Sequence, residues 1–167
     1  MAKHAVVRTD NMTGTDVRSQ LVSIKYMGAD GQTATEIDNG NVLKVGALLD
    51  GEREIYAGTD VAADTAITDV VLVASVETMY DERKKNLDEY VNEAGKTCRG
   101  YRLHHGDTFS VTAEALTGTP AVGSIVELAA GTKLNVAASA TASSTTVGTI
   151  IAQDVAGRYT YYAIKVN

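Results

Sequence analysis

The chain has very few of the residues that usually anchor a large core or a catalytic site. Its 167 residues include no tryptophan, one phenylalanine, one proline and one cysteine. With Cys98 as the single cysteine, no disulfide can form within the chain. The core must therefore be built mainly from Ala, Val, Ile and Leu. At this length such a core needs neither a disulfide nor a metal ion, because a domain of about 150 residues buries about 70% of its surface.

Long apolar runs are also missing from the sequence. No stretch approaches the about 20 apolar residues that a helix needs to cross a bilayer. The N-terminal sequence MAKHAVVRTDNMTG lacks the apolar region of a signal peptide, so we expect the chain to be made in the cytoplasm. The formal net charge of -6 argues against a general nucleic-acid binder, which needs a basic stripe to displace counterions from phosphates. We therefore expect neither a membrane nor a nucleic-acid partner.

Short segments rich in Val, Ile and Thr, separated by Gly, Ser, Thr and Asp turns, predict a mainly β fold. The most apolar stretch is ITDVVLVAS, which is β-branched and too short for an independent helix. It predicts a central strand that is buried on both faces. The predicted strands cover residues 20–27, 35–37, 42–48, 54–57, 70–77, 99–104, 108–112, 125–128, 133–138, 147–154 and 159–166.

Residues 79–95 differ from the rest of the chain because they are dense in charge. Leu87, Val91 and Ala94 are spaced at i, i+4 and i+7, which is typical of the apolar stripe of a helix. Gly95 stands where a left-handed residue would end that helix. We therefore predict one α-helix over about residues 79–95.

This helix divides the predicted fold into parts. We expect two small β modules, each resembling a barrel or a sandwich, linked by the helix and preceded by an extended N-terminal arm. The expected ranges are residues 1–31 for the arm and first strand, 32–78 for the first module, 79–96 for the helix and 97–167 for the second module.

The sequence contains little that predicts catalysis or metal binding. His104, His105 and Asp107 are the best metal-like group, but adjacent residues of a strand face opposite sides and cannot easily share one ion. Cys98 could serve as a nucleophile only with one of these histidines as its base, and a buried apolar role is the favoured interpretation. We therefore expect no catalytic residue, no metal, no cofactor and no enzymatic activity.

Three segments together suggest a family. MYDERKKNLDEYVNEAGK, then RGYRLHHGDTFSVTAEAL, then GSIVELAAGTKLNV resemble small head decoration, or cement, proteins of tailed bacteriophages that infect Gram-positive bacteria. The resemblance extends from about IDNGNVLKVGALLDGERE to the C-terminus, and the Thr/Gly-rich start of the chain resembles the exposed N-terminal segment of that family.

The resemblance implies a structural virion protein on the outer surface of the expanded capsid. There it would bridge subunits of the major capsid protein and stabilise the head. The major capsid protein is the partner that the resemblance implies, and a homotrimer at local three-fold capsid junctions would suit such a role.

On that hypothesis the polar N-terminal segment and the predicted helix are the expected contact regions. The candidate interface residues are Thr9, Asn11, Thr13, Arg18, Arg83, Lys84 and Tyr90. The alternative hypothesis is a head-fibre or adhesin-type recognition module that binds host-surface glycans through a shallow tyrosine-lined site around Tyr159, Tyr161 and Tyr162.

Overall fold

The computed structural model describes residues 3–12 and 20–167, which form a mainly β structure. It has twelve strands: β1 Val7–Asn11, β2 Leu21–Tyr26, β3 Val42–Leu48, β4 Ile55–Thr59, β5 Val70–Val73, β6 Cys98–Arg102, β7 Thr108–Thr112, β8 Leu116–Thr117, β9 Ile125–Glu127, β10 Leu134–Ala137, β11 Thr146–Ala156 and β12 Tyr159–Val166. The helical elements that lie wholly in these ranges are single 3₁₀ turns at Ile67–Asp69, Leu87–Glu89 and Ala113–Ala115.

Strands β2 to β6 form a closed barrel in the order β2-β4-β3-β5-β6. Strands β2 and β4 run parallel, and the other neighbours in the barrel are antiparallel. A Cβ at Gly100 would lie 2.8 Å from Val71 Cγ2, so glycine lets β5 and β6 approach closely. The barrel interior is filled by a small apolar cluster: Val22, Ile24, Ile37, Leu43, Val71, Val73 and Cys98.

The remaining strands form one seven-stranded sheet in the order β1-β7-β12-β11-β9-β10-β8. Its pairs are antiparallel except for β8 and β10, which run parallel over two residue pairs. The β11–β12 hairpin is the longest pairing, and it turns through Gly157 and Arg158. Gly157 has a φ of 63°, a value that glycine adopts without strain in such tight turns.

Strand β5 joins the barrel to the sheet because both of its faces are buried. Val70 and Leu72 belong to the main core between the barrel and the sheet, whereas Val71 and Val73 point into the barrel. All four side chains are 0% exposed. The prediction of a central strand buried on both faces is confirmed, although the strand ends at Val73 rather than at residue 77.

The predicted linking helix over residues 79–95 is wrong. This part of the chain is extended and irregular apart from the 3₁₀ turn Leu87–Glu89. Leu87 of the expected apolar stripe is 40% exposed, whereas the polar Asp88 and Asn92 are buried. Side chains compensate for the missing helical hydrogen bonds: the Glu89 carboxylate accepts from the main-chain amides of Lys85 and Asn86. Side chains that bond the main chain in this way compete with a helix.

The prediction of an extended N-terminal arm is wrong for residues 3–12. Strand β1 pairs antiparallel with β7 at the edge of the sheet. Ala5, Val7 and Met12 are buried and belong to the main core. Three consecutive apolar residues, Ala5 to Val7, are enough to attach this segment because the sheet offers an open edge beside β7. The other predicted arm residues, 13–19, lie outside the described residues.

Two further differences concern strands. The predicted strand over residues 35–37 reduces to a single bridge between Ile37 and Asn92. Strand β6, which the sequence placed in the second module, pairs with β2 and β5 and closes the barrel. Register between distant strands decides this pairing, and alternation along one strand carries no information about its partner.

Truncation of Leu72 should destabilise the protein strongly, because it leaves a cavity in the core that the barrel and the sheet share. We expect Leu72→Ala to lower the free energy of unfolding by about 2–5 kcal/mol. Leu48→Ala is the matched control, since Leu48 is 45% exposed, and it should cost about 1 kcal/mol or less. Urea denaturation followed by circular dichroism measures both, and equal losses would contradict the shared core.

Candidate interaction surface

The connection between β5 and β6, residues 74–97, crosses one side of the molecule and organises its clefts. Buried amide side chains hold its two ends to the barrel. The Asn39 side chain donates to the Ser75 carbonyl at 2.9 Å and accepts from the Ser75 amide at 3.0 Å. The Asn92 side chain donates to the Asn39 Oδ1 atom and to the Ile37 carbonyl, both at 3.0 Å. Fully paired buried amides of this kind fix one arrangement of the chain.

A buried carboxylate holds the middle of the β5–β6 connection. Asp88 is 3% exposed and accepts from the Tyr159 hydroxyl at 2.7 Å and from the Arg158 guanidinium and the Lys3 amide at 3.2 Å. Burial alone would raise the pKa of Asp88, but the hydrogen bonds from Tyr159 and Lys3 and the charge of Arg158 together lower it. The ionised carboxylate therefore links the connection, the N-terminal segment and the β11–β12 hairpin.

Three clefts adjoin one another along this connection. The largest, which we call the arginine cleft, has a volume of about 760 Å³. The tyrosine cleft, lined by Tyr80 and Tyr90, has about 480 Å³, and the β1 cleft, beside Val7 to Thr9, has about 350 Å³. Ser75 and Val76 line both the arginine and the β1 clefts, and Thr97 lines both the arginine and the tyrosine clefts. The three clefts therefore form one continuous surface.

The structure brings together only some of the predicted interface residues. Lys84 and Tyr90 both line the tyrosine cleft, where Tyr80 is 93% exposed. Arg83 is exposed, and its guanidinium donates two hydrogen bonds to the Asp81 carboxylate, at 3.0 and 2.8 Å. This guanidinium is therefore already engaged. Thr9 lies apart from this group, in the β1 cleft. The side chain of Asn11, and all of Thr13 and Arg18, lie outside the described residues.

The arginine cleft was not predicted from the sequence. It lies over the neighbouring barrel strands β4, β2 and β6 and is lined by Arg53, Arg99 and Arg102. Arg99 stands directly opposite Ser23 in the β2–β6 register. The only signal in the sequence is alternation around Arg99, which follows the buried Cys98 and therefore faces outward. Nothing in the sequence places it beside Arg53, which lies on the turn between β3 and β4.

Tyr159 and Tyr161 make contacts within the fold, and Tyr162 is partly buried against the main core. Tyr161 is buried, and its ring meets that of Tyr159 edge-on with centroids 6.2 Å apart. The Tyr159 hydroxyl is bound by Asp88, and the Arg8 guanidinium stacks 5.1 Å from the Tyr161 ring centre. These contacts give both rings partners within the protein, so neither is presented as a free stacking platform for a sugar.

The histidine and cysteine side chains form no recognisable catalytic arrangement. Asp107 is buried and accepts from the main-chain amide of His104 in the turn before β7, at 2.9 Å. Across residues 3–12 and 20–167, no three His, Cys, Asp or Glu side chains meet as a metal ion would require. Cys98 lies inside the barrel, and burial raises the pKa of its thiol to about 11.

Comparison with known proteins adds no relative to this description. No family model matches the chain, and no curated protein or solved structure matches it either. In the part of the chain that the structure describes, no helix has the length and apolarity to cross a membrane. The geometry of the three clefts is therefore the basis for a functional hypothesis.

The lowered pKa of Asp88 predicts a loss of stability in acid. A carboxyl whose folded pKa lies below its unfolded value of about 3.9 stabilises the fold above that value, and the effect is lost as the pH falls through the folded pKa. Asp88→Asn should therefore be less stable than wild type near neutral pH by about 1–3 kcal/mol, and this difference should shrink below about pH 4.

Unfolding by urea at several pH values measures this difference. Hydrogen bonds from the Thr141 amide and hydroxyl also lower the pKa of the buried Glu127. Wild type and Asp88→Asn should therefore both lose some stability in acid. Asp50→Asn, at an exposed position, is the control and should follow wild type at every pH. A difference between Asp88→Asn and wild type that does not change with pH would contradict the proposed role of the ionised carboxylate.

The raised pKa of Cys98 predicts an unreactive thiol. At about pH 7.5, reaction of the native protein with an aromatic disulfide reagent should be about a hundredfold slower than that of the protein unfolded in guanidinium. The unfolded protein is the control because it contains the same thiol with an ordinary pKa. Rapid reaction of the native protein would instead support the hypothesis that Cys98 acts as a nucleophile.

Proposed function

We propose that this protein decorates the outer surface of an expanded phage capsid and stabilises it by bridging subunits of the major capsid protein. The observation that carries the proposal is the continuous surface formed by the three clefts, which exposes apolar and cationic side chains together. Val76 is 67% and Tyr80 is 93% exposed on this surface. Large apolar side chains presented beside arginine are typical of protein-protein contact sites.

The way in which this surface is held also supports the proposal. Asn39, Asn92 and Asp88 fix the β5–β6 connection at separate points, so a partner would meet a surface that is already ordered. Preformed surfaces lose less conformational entropy on binding. A stable contact of this kind buries about 800 Å² per partner.

Decoration would stabilise a capsid by mass action. A protein that binds only the expanded, assembled lattice favours that state over every other state of the capsid protein. If one molecule contacts two or three subunits, the later contacts become intramolecular, and modest affinities multiply. A homotrimer at a local three-fold junction would increase this effect, and the protein would then reside on the exterior of the virion.

The proposal is tested by co-sedimentation of the purified protein with undecorated expanded shells and with unexpanded procapsids. We expect saturable binding to expanded shells only, at a fixed number of copies per capsid subunit. Val76→Ser combined with Tyr80→Ser should weaken this binding by about tenfold or more. Absence of binding to both shells would remove the proposal and leave glycan recognition as the hypothesis to examine.

The control for the variant is Val155→Ser, because Val155 is also 67% exposed but lies on β11 of the sheet. It should bind shells as wild type does. Deletion of residues 1–18 would not be a useful test of the N-terminal segment, since it removes β1 and the buried Ala5, Val7 and Met12.

A further inference from the structure

The arginine cleft gathers positive charge on a chain that is acidic overall. The sequence has 21 Asp and Glu residues against 15 Lys and Arg residues. Three of its seven arginines nevertheless line this one cleft, and Glu54 is the one acidic residue of the described ranges that lines it with them. Concentration of one charge sign in a cleft attracts a ligand of the opposite sign.

Two of the three guanidinium groups are free to bind. The Arg53 and Arg99 side chains are exposed and have no hydrogen-bond or ion-pair partner among residues 3–12 and 20–167. Arg102 is half-buried and already donates to the Thr68 carbonyl at 2.8 Å, which fixes its position at the side of the cleft. Elsewhere the arginines that the structure describes are engaged: Arg8 pairs with Asp154, Arg83 with Asp81 and Arg158 with Asp88.

The other residues of the cleft add hydroxyl groups and apolar area. Ser23, Ser75 and Thr97 supply hydroxyls, while Leu21 and Val76 supply apolar surface. The volume of about 760 Å³ lies within the range of about 300–1,000 Å³ that is usual for ligand sites. A cleft of this size and composition suits several side chains of an extended peptide.

We infer that the arginine cleft binds an acidic extended segment of a partner protein, whose carboxylates pair with Arg53 and Arg99. The planar guanidinium donates two parallel hydrogen bonds to a carboxylate, and such pairs are stronger than neutral hydrogen bonds. Glu54 disfavours a dense polyanion, because its carboxylate would repel the closely spaced negative charges of a phosphate chain. A peptide can avoid that repulsion by placing an uncharged residue beside Glu54.

This inference deepens the proposed function, on which it rests for the identity of the partner as the capsid protein. The cleft itself is tested without capsids. Fluorescence anisotropy measures binding of a labelled octaglutamate peptide to the full-length protein at low salt, with octaglutamine as the neutral peptide. We expect the glutamate peptide to bind and the glutamine peptide not to bind. Added salt should weaken binding, because exposed charge pairs are screened.

The decisive variant is Arg53→Gln combined with Arg99→Gln, which should weaken binding of the glutamate peptide about tenfold or more. Both side chains are exposed, so the melting temperature should stay close to that of wild type. Lys133→Gln combined with Lys165→Gln is the control. It removes the same charge from exposed positions outside the clefts, and we expect its affinity to stay within about twofold of wild type.

Each other outcome overturns the inference. If wild type does not bind octaglutamate, or if both double variants weaken it equally, the cleft has no specific role. If an inorganic polyphosphate of equal charge displaces the peptide at a lower concentration than unlabelled octaglutamate does, the site prefers phosphate. The capsid experiment separates the two proposals. If shells bind the arginine variant as well as wild type, only the proposed role of the arginine cleft is contradicted. If the protein binds the peptide but not the shells, only the decoration proposal is contradicted.

Discussion

Strand β5 has to be buried on both faces, and the rest of the architecture depends on this constraint. Val71 and Val73 complete the barrel interior, while Val70 and Leu72 complete the core against the sheet. Because consecutive residues of a strand face opposite sides, four apolar residues in succession can serve two cores at once. The barrel and the sheet are therefore fixed relative to each other by a strand that belongs to both. The β5–β6 connection begins at the C-terminal end of β5, so its starting point is fixed as well.

The β5–β6 connection shows how side chains can hold an irregular segment against a β fold. It has no ladder of its own over most of its length, and buried polar side chains supply the missing hydrogen bonds. Asn39 and Asn92 bond each other and the main chain, and Asp88 bonds Tyr159 and Arg158. A buried polar group without partners is costly, so such a network is stable only in the arrangement that pairs its members. Specific geometry is the property that a recognition surface needs.

The same residues explain where prediction from the sequence succeeded and where it failed. Alternation and neighbouring glycine turns placed β3, β7 and β12 at their observed bounds, since each of these strands lies next to such a turn. The helix was predicted from Leu87, Val91 and Ala94, yet Asp88 and Asn92 share the same spacing and are the residues that are buried. The spacing of apolar residues does not tell which side chains are buried when polar side chains find partners in the interior. The arginine and β1 clefts combine residues from three or more segments, and their meeting depends on strand pairing that no local pattern encodes.

The distribution of charge distinguishes the tyrosine cleft from the arginine cleft. In the tyrosine cleft the cations Lys84 and Lys96 are balanced by the acidic Asp81 and Glu93, so apolar contact dominates there. In the arginine cleft two guanidinium groups have no partner in the described chain, and charge dominates. Apolar area supplies most of the affinity of a protein contact, whereas charge pairs select the partner and its register. Since Thr97 lines both clefts, the partner segment that we propose would meet the apolar and the charged contacts in succession.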